Sequence, residues 1–179
     1  DLSEPRWVFL NTLFSLSESC LYGQLVDRFD RGDITGIDDY RALYQTVNEQ
    51  INAAHLEGQL KAEIVAAPER FVDLDPDLPQ TLLDLKRAGK KLFLATNSEW
   101  HYTRPIMRHV FNGRLGDLGW RDLFDLVIVE AKKPAFFERR APFFEVLDDD
   151  GNERPAEAPL RAGAIYRGGD AEAVQQHLG

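Results

Sequence analysis

Three short apolar runs, spaced among helical stretches, constrain this chain more than anything else in its sequence. Lys91 to Ala95, Asp125 to Glu130 and Ala162 to Tyr166 are five or six residues long and apolar at their centres. Runs of that length read as buried strands. Helical spacing of apolar residues fills Gln80 to Arg87, which Gly89 stops, and Trp100 to Phe111. Pro105 fits the second helix only if it falls in the first turn, where its missing N–H costs nothing. Strand–helix–strand with apolar strands predicts an α/β fold class built on a parallel, doubly wound sheet. Phe143 to Leu147 followed by Asp149-Asp150-Gly151-Asn152 predicts a hairpin turn. Asp170 to Leu178 reads as a short helix, with Asp170 as N-cap and Gly179 as its stop.

The first part of the chain has a different rhythm. Residues 6–70 read as helical: Trp7, Val8, Leu10, Leu13 and Phe14 recur at helical spacing, and Leu21, Leu25, Val26 and Phe29 continue it. Arg31-Gly32-Asp33 and Gly36 break the pattern. Asp38 or Asp39 offers a cap for a second helix through Tyr40, Leu43, Tyr44, Val47 and Ile51, with Gly58 as its stop, and a short helix over Gln59 to Ala66 follows. Pro68 to Pro79 is a turn-rich joint. The expected organisation is therefore a helical portion over 1–72 and a Rossmann-like portion over 73–179.

Composition removes several functional classes. With 44% hydrophobic residues, the 179-residue chain can bury a core. Its net charge of −9 argues against nucleic acid and against an anionic membrane surface, which both demand basic patches. No apolar run approaches the ~20 residues that span a bilayer. Cys20 is the only cysteine, so neither an internal disulfide nor a multi-cysteine zinc site can form; this fits a reducing compartment. The chain opens on Asp1 and its only methionine is Met107, so a start upstream is expected, and an alternating α/β chain would place another strand after Gly179.

Candidate chemistry gathers where strands end. Thr96-Asn97-Ser98 closes the first apolar run just before a helix. In an open α/β sheet ligands bind at the carboxyl ends of strands, and a hydroxyl, an amide and free helix N–H groups make an anion site of phosphate size. The same three residue types are also ordinary helix caps. Lys133, in Lys132-Lys133-Pro134, follows the second run, where an ammonium can neutralise a transferring phosphoryl group; read alone it is a solvated basic residue. Parallel neighbours would bring Thr96 and Lys133 to one edge. His55 and Lys61 in the helical portion read as surface or structural residues. Asp73-Leu74-Asp75 mimics a nucleophilic DxD but lacks an apolar strand before it, and Asp148-Asp149-Asp150-Gly151 lacks the ligand alternation of a calcium loop.

Phe93-Leu94-Ala95-Thr96-Asn97-Ser98, continued by Tyr102-Thr103 and Ile106-Met107, resembles the second motif of the cytosolic purine 5′-nucleotidases that prefer IMP and GMP, members of the haloacid-dehalogenase superfamily. Trp120 to Val127 and Ala131 to Phe137 resemble the segment with that family's third motif. Phe9 to Phe14 and Ile165 to Gly169 resemble an earlier and a later segment. The resemblance implies a partial Rossmann-like haloacid-dehalogenase core with a helical cap segment, in a cytoplasmic, magnesium-dependent phosphatase. It implies an Asp nucleophile that takes the phosphoryl group from a nucleoside monophosphate or another small phosphomonoester before water releases it. By position, Thr96 and Asn97 would hold phosphate oxygens, Lys133 would stabilise the phosphoryl charge, and Ser98, His55 and Lys61 would contact substrate. A homo-oligomer is compatible with it. The nucleophile motif falls upstream of Asp1 and the acidic motif that helps hold Mg2+ falls beyond Gly179, so no catalysis is expected of residues 1–179 alone.

Asn48, Asn52 and Leu56 stand where the purine enzymes carry an Arg, an Asp and a Tyr. That change removes charge and hydrogen bonds from a site that would use them to choose its substrate. The alternative to an enzyme is therefore a degenerate member that binds nucleotides or protein partners without turnover.

Overall fold

A computed structural model describes residues 13–56 and 58–179. The helical reading of Trp7, Val8 and Leu10, and the family-like segment from Phe9 to Thr12, lie outside them. The chain divides into two compact units, Asp1–Lys61 and Ala62–Gly179.

Within the first unit, α1 (Leu13–Asp30) and α2 (Tyr40–Leu56) pair. The break at Gly32 and Gly36 is as expected, both adopting positive φ. Asp39 caps α2 by accepting the Ala42 N–H at 2.8 Å. Leu43 and Val47, one turn apart, are buried at 2% and 4% exposure. Edge-on rings join Tyr22 to Tyr44 and Phe29 to Tyr40. Gly58, at φ 73°, precedes α3 (Gln59–Ala66), consistent with a stop.

The second unit is a mixed α/β layer structure. After a 3₁₀ turn at Pro68–Arg70 come α4 (Leu78–Arg87), β1 (Phe93–Ala95), α5 (Trp100–Phe111), β2 (Leu126–Val129), α6 (Ala135–Glu138), β3 (Phe143–Val146), β4 (Glu153–Pro155), β5 (Ile165–Gly168) and α7 (Ala171–Leu178). A 3₁₀ turn, Trp120–Leu123, leads into β2. The sheet order is β1-β2-β5-β3-β4. Strands β1, β2 and β5 are parallel, as the alternation predicts; β3 runs antiparallel to both β5 and β4. The expected parallel sheet is thus corrected to a mixed one, because the hairpin joins it through β3. Asp148 to Asn152 closes the β3–β4 hairpin, and β5 then pairs with the strand that opens that hairpin.

β2 is an interior strand, flanked by β1 and β5, and its four residues are at most 3% exposed. Its side chains alternate between two cores. Val127 and Val129 face Leu83, Trp100, Phe111, Trp120 and Leu123. Leu126 and Ile128 face Phe136, Tyr166 and Val174. Both faces are covered, which is why the run is continuously apolar rather than alternating. Pro105 departs from expectation: it is the sixth residue of α5, past the first turn. It leaves the His101 carbonyl without its helical donor, a cost offset by burial of the Trp100 and Phe111 rings on the same helix.

Candidate functional site

The carboxyl ends of β1 and β2 meet through a dense set of backbone bonds. Thr96 N–H donates to the Ile128 carbonyl at 2.9 Å, Ala131 N–H to the Thr96 carbonyl at 2.9 Å, and Glu130 N–H to the Ser98 carbonyl at 3.0 Å. The Thr96 hydroxyl oxygen accepts the Ser98 N–H at 3.1 Å. A threonine hydroxyl keeps its own proton to donate, so Thr96 retains one donor for a ligand.

Asn97 reaches across 36 residues of sequence to Lys133. Its Oδ1 accepts the Lys133 N–H at 2.6 Å and its Nδ2 donates to the Lys133 carbonyl at 3.0 Å. The Lys133 ammonium returns to β1 and donates to the Ala95 carbonyl at 2.8 Å. An ammonium has three donors, so two remain. Thr96, Asn97, Ser98 and Lys133 are thereby gathered at one sheet edge. None of the first three caps α5: the N-cap is Glu99, with no side-chain cap bond. The helix-cap explanation for these residues does not hold.

Residues that sequence reasoning passed over complete the loop. Glu130 and Lys132 adopt φ of 45° and 57°, a left-handed backbone unusual for side-chain-bearing residues. Each such residue costs on the order of 1 kcal/mol or more, and outliers of this kind concentrate at functional sites. They turn the chain so that Lys133 faces Asn97. No residue type announces this, because glycine is the usual signal and neither position is glycine.

At the amino ends of the same two strands, Asp125 fixes β1 against β2. Its carboxylate accepts the Leu92 N–H at 2.9 Å and pairs with Lys91 at 3.5 Å and Lys86 at 3.8 Å. Burial favours the neutral acid here, but the Leu92 N–H and the two ammonium groups outweigh it and hold the carboxyl below its usual range.

The remaining candidates belong to other elements. His55 falls in α2, its side chain outside the described residues, and Lys61 lies half-buried in α3; both belong to the first unit. Asp73 and Asp75 follow a 3₁₀ turn rather than a strand, and Asp75 accepts the Asp77 N–H within its own turn. Among the described residues no group of three or more His, Cys, Asp or Glu side chains is arranged to hold a metal, and no helix is long and apolar enough to cross a membrane. A cleft of about 860 Å³ beside α7, lined by Phe143, Leu160 and His177 among others, includes none of Thr96, Asn97 or Lys133.

Comparison with known proteins identifies the family of the chain. The 5′ nucleotidase family model matches residues 1–179. The 5′-nucleotidase domain-containing protein 2 of Homo sapiens is 34% identical over 159 residues, covering 88% of this chain and 29% of its own length. A 5′-nucleotidase domain-containing protein of Dictyostelium discoideum is 30% identical over 136 residues, covering 75% of this chain and 23% of its own. The chain spans less than a third of either relative. With the family model matched end to end, the chain belongs to the 5′-nucleotidase family.

Proposed function

We propose that the protein containing these residues hydrolyses nucleoside 5′-monophosphates, and that residues 62–179 supply part of its phosphate site. The observation that carries this reading is the convergence of the Thr96 hydroxyl and the Lys133 ammonium on the carboxyl ends of adjacent parallel strands. Such an edge is where α/β sheets bind ligands. Thr96 donates its proton to a phosphate oxygen, beside the backbone it shares with Ser98. Lys133 sets a positive charge against the oxygens of the transferring phosphoryl group, where negative charge must be stabilised. In the haloacid-dehalogenase scheme that the sequence resembles, an Asp nucleophile attacks phosphorus and water then cleaves the aspartyl-phosphate. Magnesium would need carboxylate ligands. Among the described residues no group of three or more His, Cys, Asp or Glu side chains is arranged to hold it, and no step here depends on it. His55 and Lys61 are the nucleoside contacts in this reading, in a cytoplasmic enzyme.

Full-length protein with magnesium, assayed for phosphate release across a nucleotide panel, tests the proposal. Turnover of at least one nucleoside monophosphate is expected; a folded protein inert toward every phosphomonoester would sink it.

One observation favours a second reading, a member that binds without turnover. Asn48 donates to Glu18 at 2.9 Å and Asn52 donates to Asn48 at 2.8 Å, so the residues standing in the purine enzymes' Arg and Asp positions bond within the helix pair. Micromolar nucleotide affinity with no phosphate release would select this alternative.

A further inference from the structure

We infer that Asn97 is a positioning residue that acts through Lys133, and does not itself bind phosphate. This rests on the phosphate-site reading above and assigns one of its residues a different task. Toward Lys133 the carboxamide uses one of its two N–H donors and one oxygen lone pair: Oδ1 takes the Lys133 N–H at 2.6 Å and Nδ2 gives to the Lys133 carbonyl at 3.0 Å. This is the pairing one strand residue makes with another, performed by a side chain. It grips the peptide groups on both sides of the Lys133 Cα.

The need for such a grip is visible in the backbone. Lys132 stands at φ 57° and Glu130 at φ 45°, so the segment that presents Lys133 is in a conformation that its own side chains disfavour. Local bonds must over-determine it. Two run from its backbone to Thr96 and Ser98, and the other two come from Asn97. With the backbone fixed by Asn97 and the ammonium tip resting on the Ala95 carbonyl at 2.8 Å, the lysine is held at both ends. Its charge is then aimed before substrate arrives. Preorganisation of this kind matters steeply, since displacement by about 1 Å costs on the order of a hundredfold in rate.

A charge-stabilising lysine acts mainly on the transition state, so loosening it lowers kcat more than it raises KM. Asn97→Ala in the full-length protein is expected to lower kcat roughly ten- to hundredfold with KM changed by less than about threefold. A cycle with Lys133→Ala isolates the route of the effect. If Asn97 works through Lys133, the double variant is no worse than Lys133→Ala alone, in kcat/KM and in affinity for inorganic phosphate. Multiplying losses in that cycle would mean that Asn97 touches phosphate directly, and would overturn the inference. Hydrogen exchange supplies a readout that needs no activity: peptides containing Lys132 and Lys133 should exchange at least tenfold faster in Asn97→Ala than in the parent protein. An unchanged exchange rate would also overturn it. A wild-type protein inert toward all phosphomonoesters would defeat the parent reading instead, leaving the exchange result to decide the grip on Lys133.

Discussion

Thr96 illustrates what one side chain must do at a strand end. Its hydroxyl oxygen accepts the Ser98 N–H while its proton stays available, so the residue shapes the loop and can meet a ligand at once. The two tasks separate by substitution. Thr96→Ser keeps the oxygen and should stay within a few-fold of the parent in kcat/KM. Thr96→Ala removes both bonds and should lose roughly a hundredfold, the scale of one transition-state hydrogen-bond donor. Phosphate release by the two full-length variants checks this; equal activity in both would remove Thr96 from the site. At this scale the sequence was informative about residue type and silent about partners. A hydroxyl, an amide and an ammonium at strand ends are legible from Thr96, Asn97 and Lys133. That Asn97 bonds both backbone groups of Lys133 is not, because a contact across 36 residues depends on strand pairing that no local pattern encodes.

Between elements, the decisive link is the one that sets β1 beside β2, since the site exists only if their ends coincide. Parallel pairing aligns Ala95 with Ile128, and Asp125 ties the opposite end of the pair by taking the Leu92 N–H. Removing that acceptor leaves the half-buried Leu92 N–H without its partner and takes a carboxylate away from Lys86 and Lys91. Asp125→Ala should therefore cost about 1–3 kcal/mol in urea unfolding, with Asp125→Asn recovering part of it through its carbonyl oxygen. A cost below a few tenths would show that the strands pair without it. Element identities were largely readable: β1, β2, the hairpin and the helix stops at Gly89 and Gly179 arise where apolar runs and turn residues put them, while β5 starts at Ile165, three residues into its apolar run. Two things were not. Pro105 sits inside α5 because burial of Trp100 and Phe111 outweighs one lost hydrogen bond, a tertiary effect invisible to local rules. The direction of β3 was hidden because an apolar run carries no sign of whether its partner is parallel; hairpin closure at Asp148 to Asn152 fixes β4 against β3, and only the sheet order reveals β5 on the other side.

Over the whole molecule, shifted ionisable groups contribute to both units, and the direction of each shift predicts a pH dependence. In the second unit four carboxyls are held below their usual range. Burial opposes the shift at Asp125, but the Leu92 N–H, Lys86 and Lys91 outweigh it; Asn152 lowers Asp148, Arg121 lowers Asp149 and Arg167 lowers Glu153. A lowered folded value means that the unfolded chain binds protons more readily. Stability from these groups is present above the ordinary carboxylate range, and is lost as pH falls through the folded values, below about 4. In the first unit, Tyr40 is raised by its hydrogen bond to Asp30, and Tyr44 by its hydrogen bond to Glu18. A raised folded value has the reverse sign: the contribution is present below the ordinary phenol value of about 10, and is lost as pH climbs through the raised values. Glu18, lowered chiefly by Tyr44, adds acid sensitivity to that unit too. Trp100 and Trp120 both lie in the core of the second unit, so in a Trp7→Phe background tryptophan fluorescence reports that unit. Its urea midpoint should be level from about pH 5 through neutrality and fall below about pH 4. Absorbance titration of the folded chain should meanwhile show two phenols, absent as a late class in Tyr40→Phe/Tyr44→Phe, ionising after the ordinary tyrosines. A midpoint that rises on acidification would mean that the four carboxylates are not held by the partners named, and that repulsion within a chain of net charge −9 governs its stability instead.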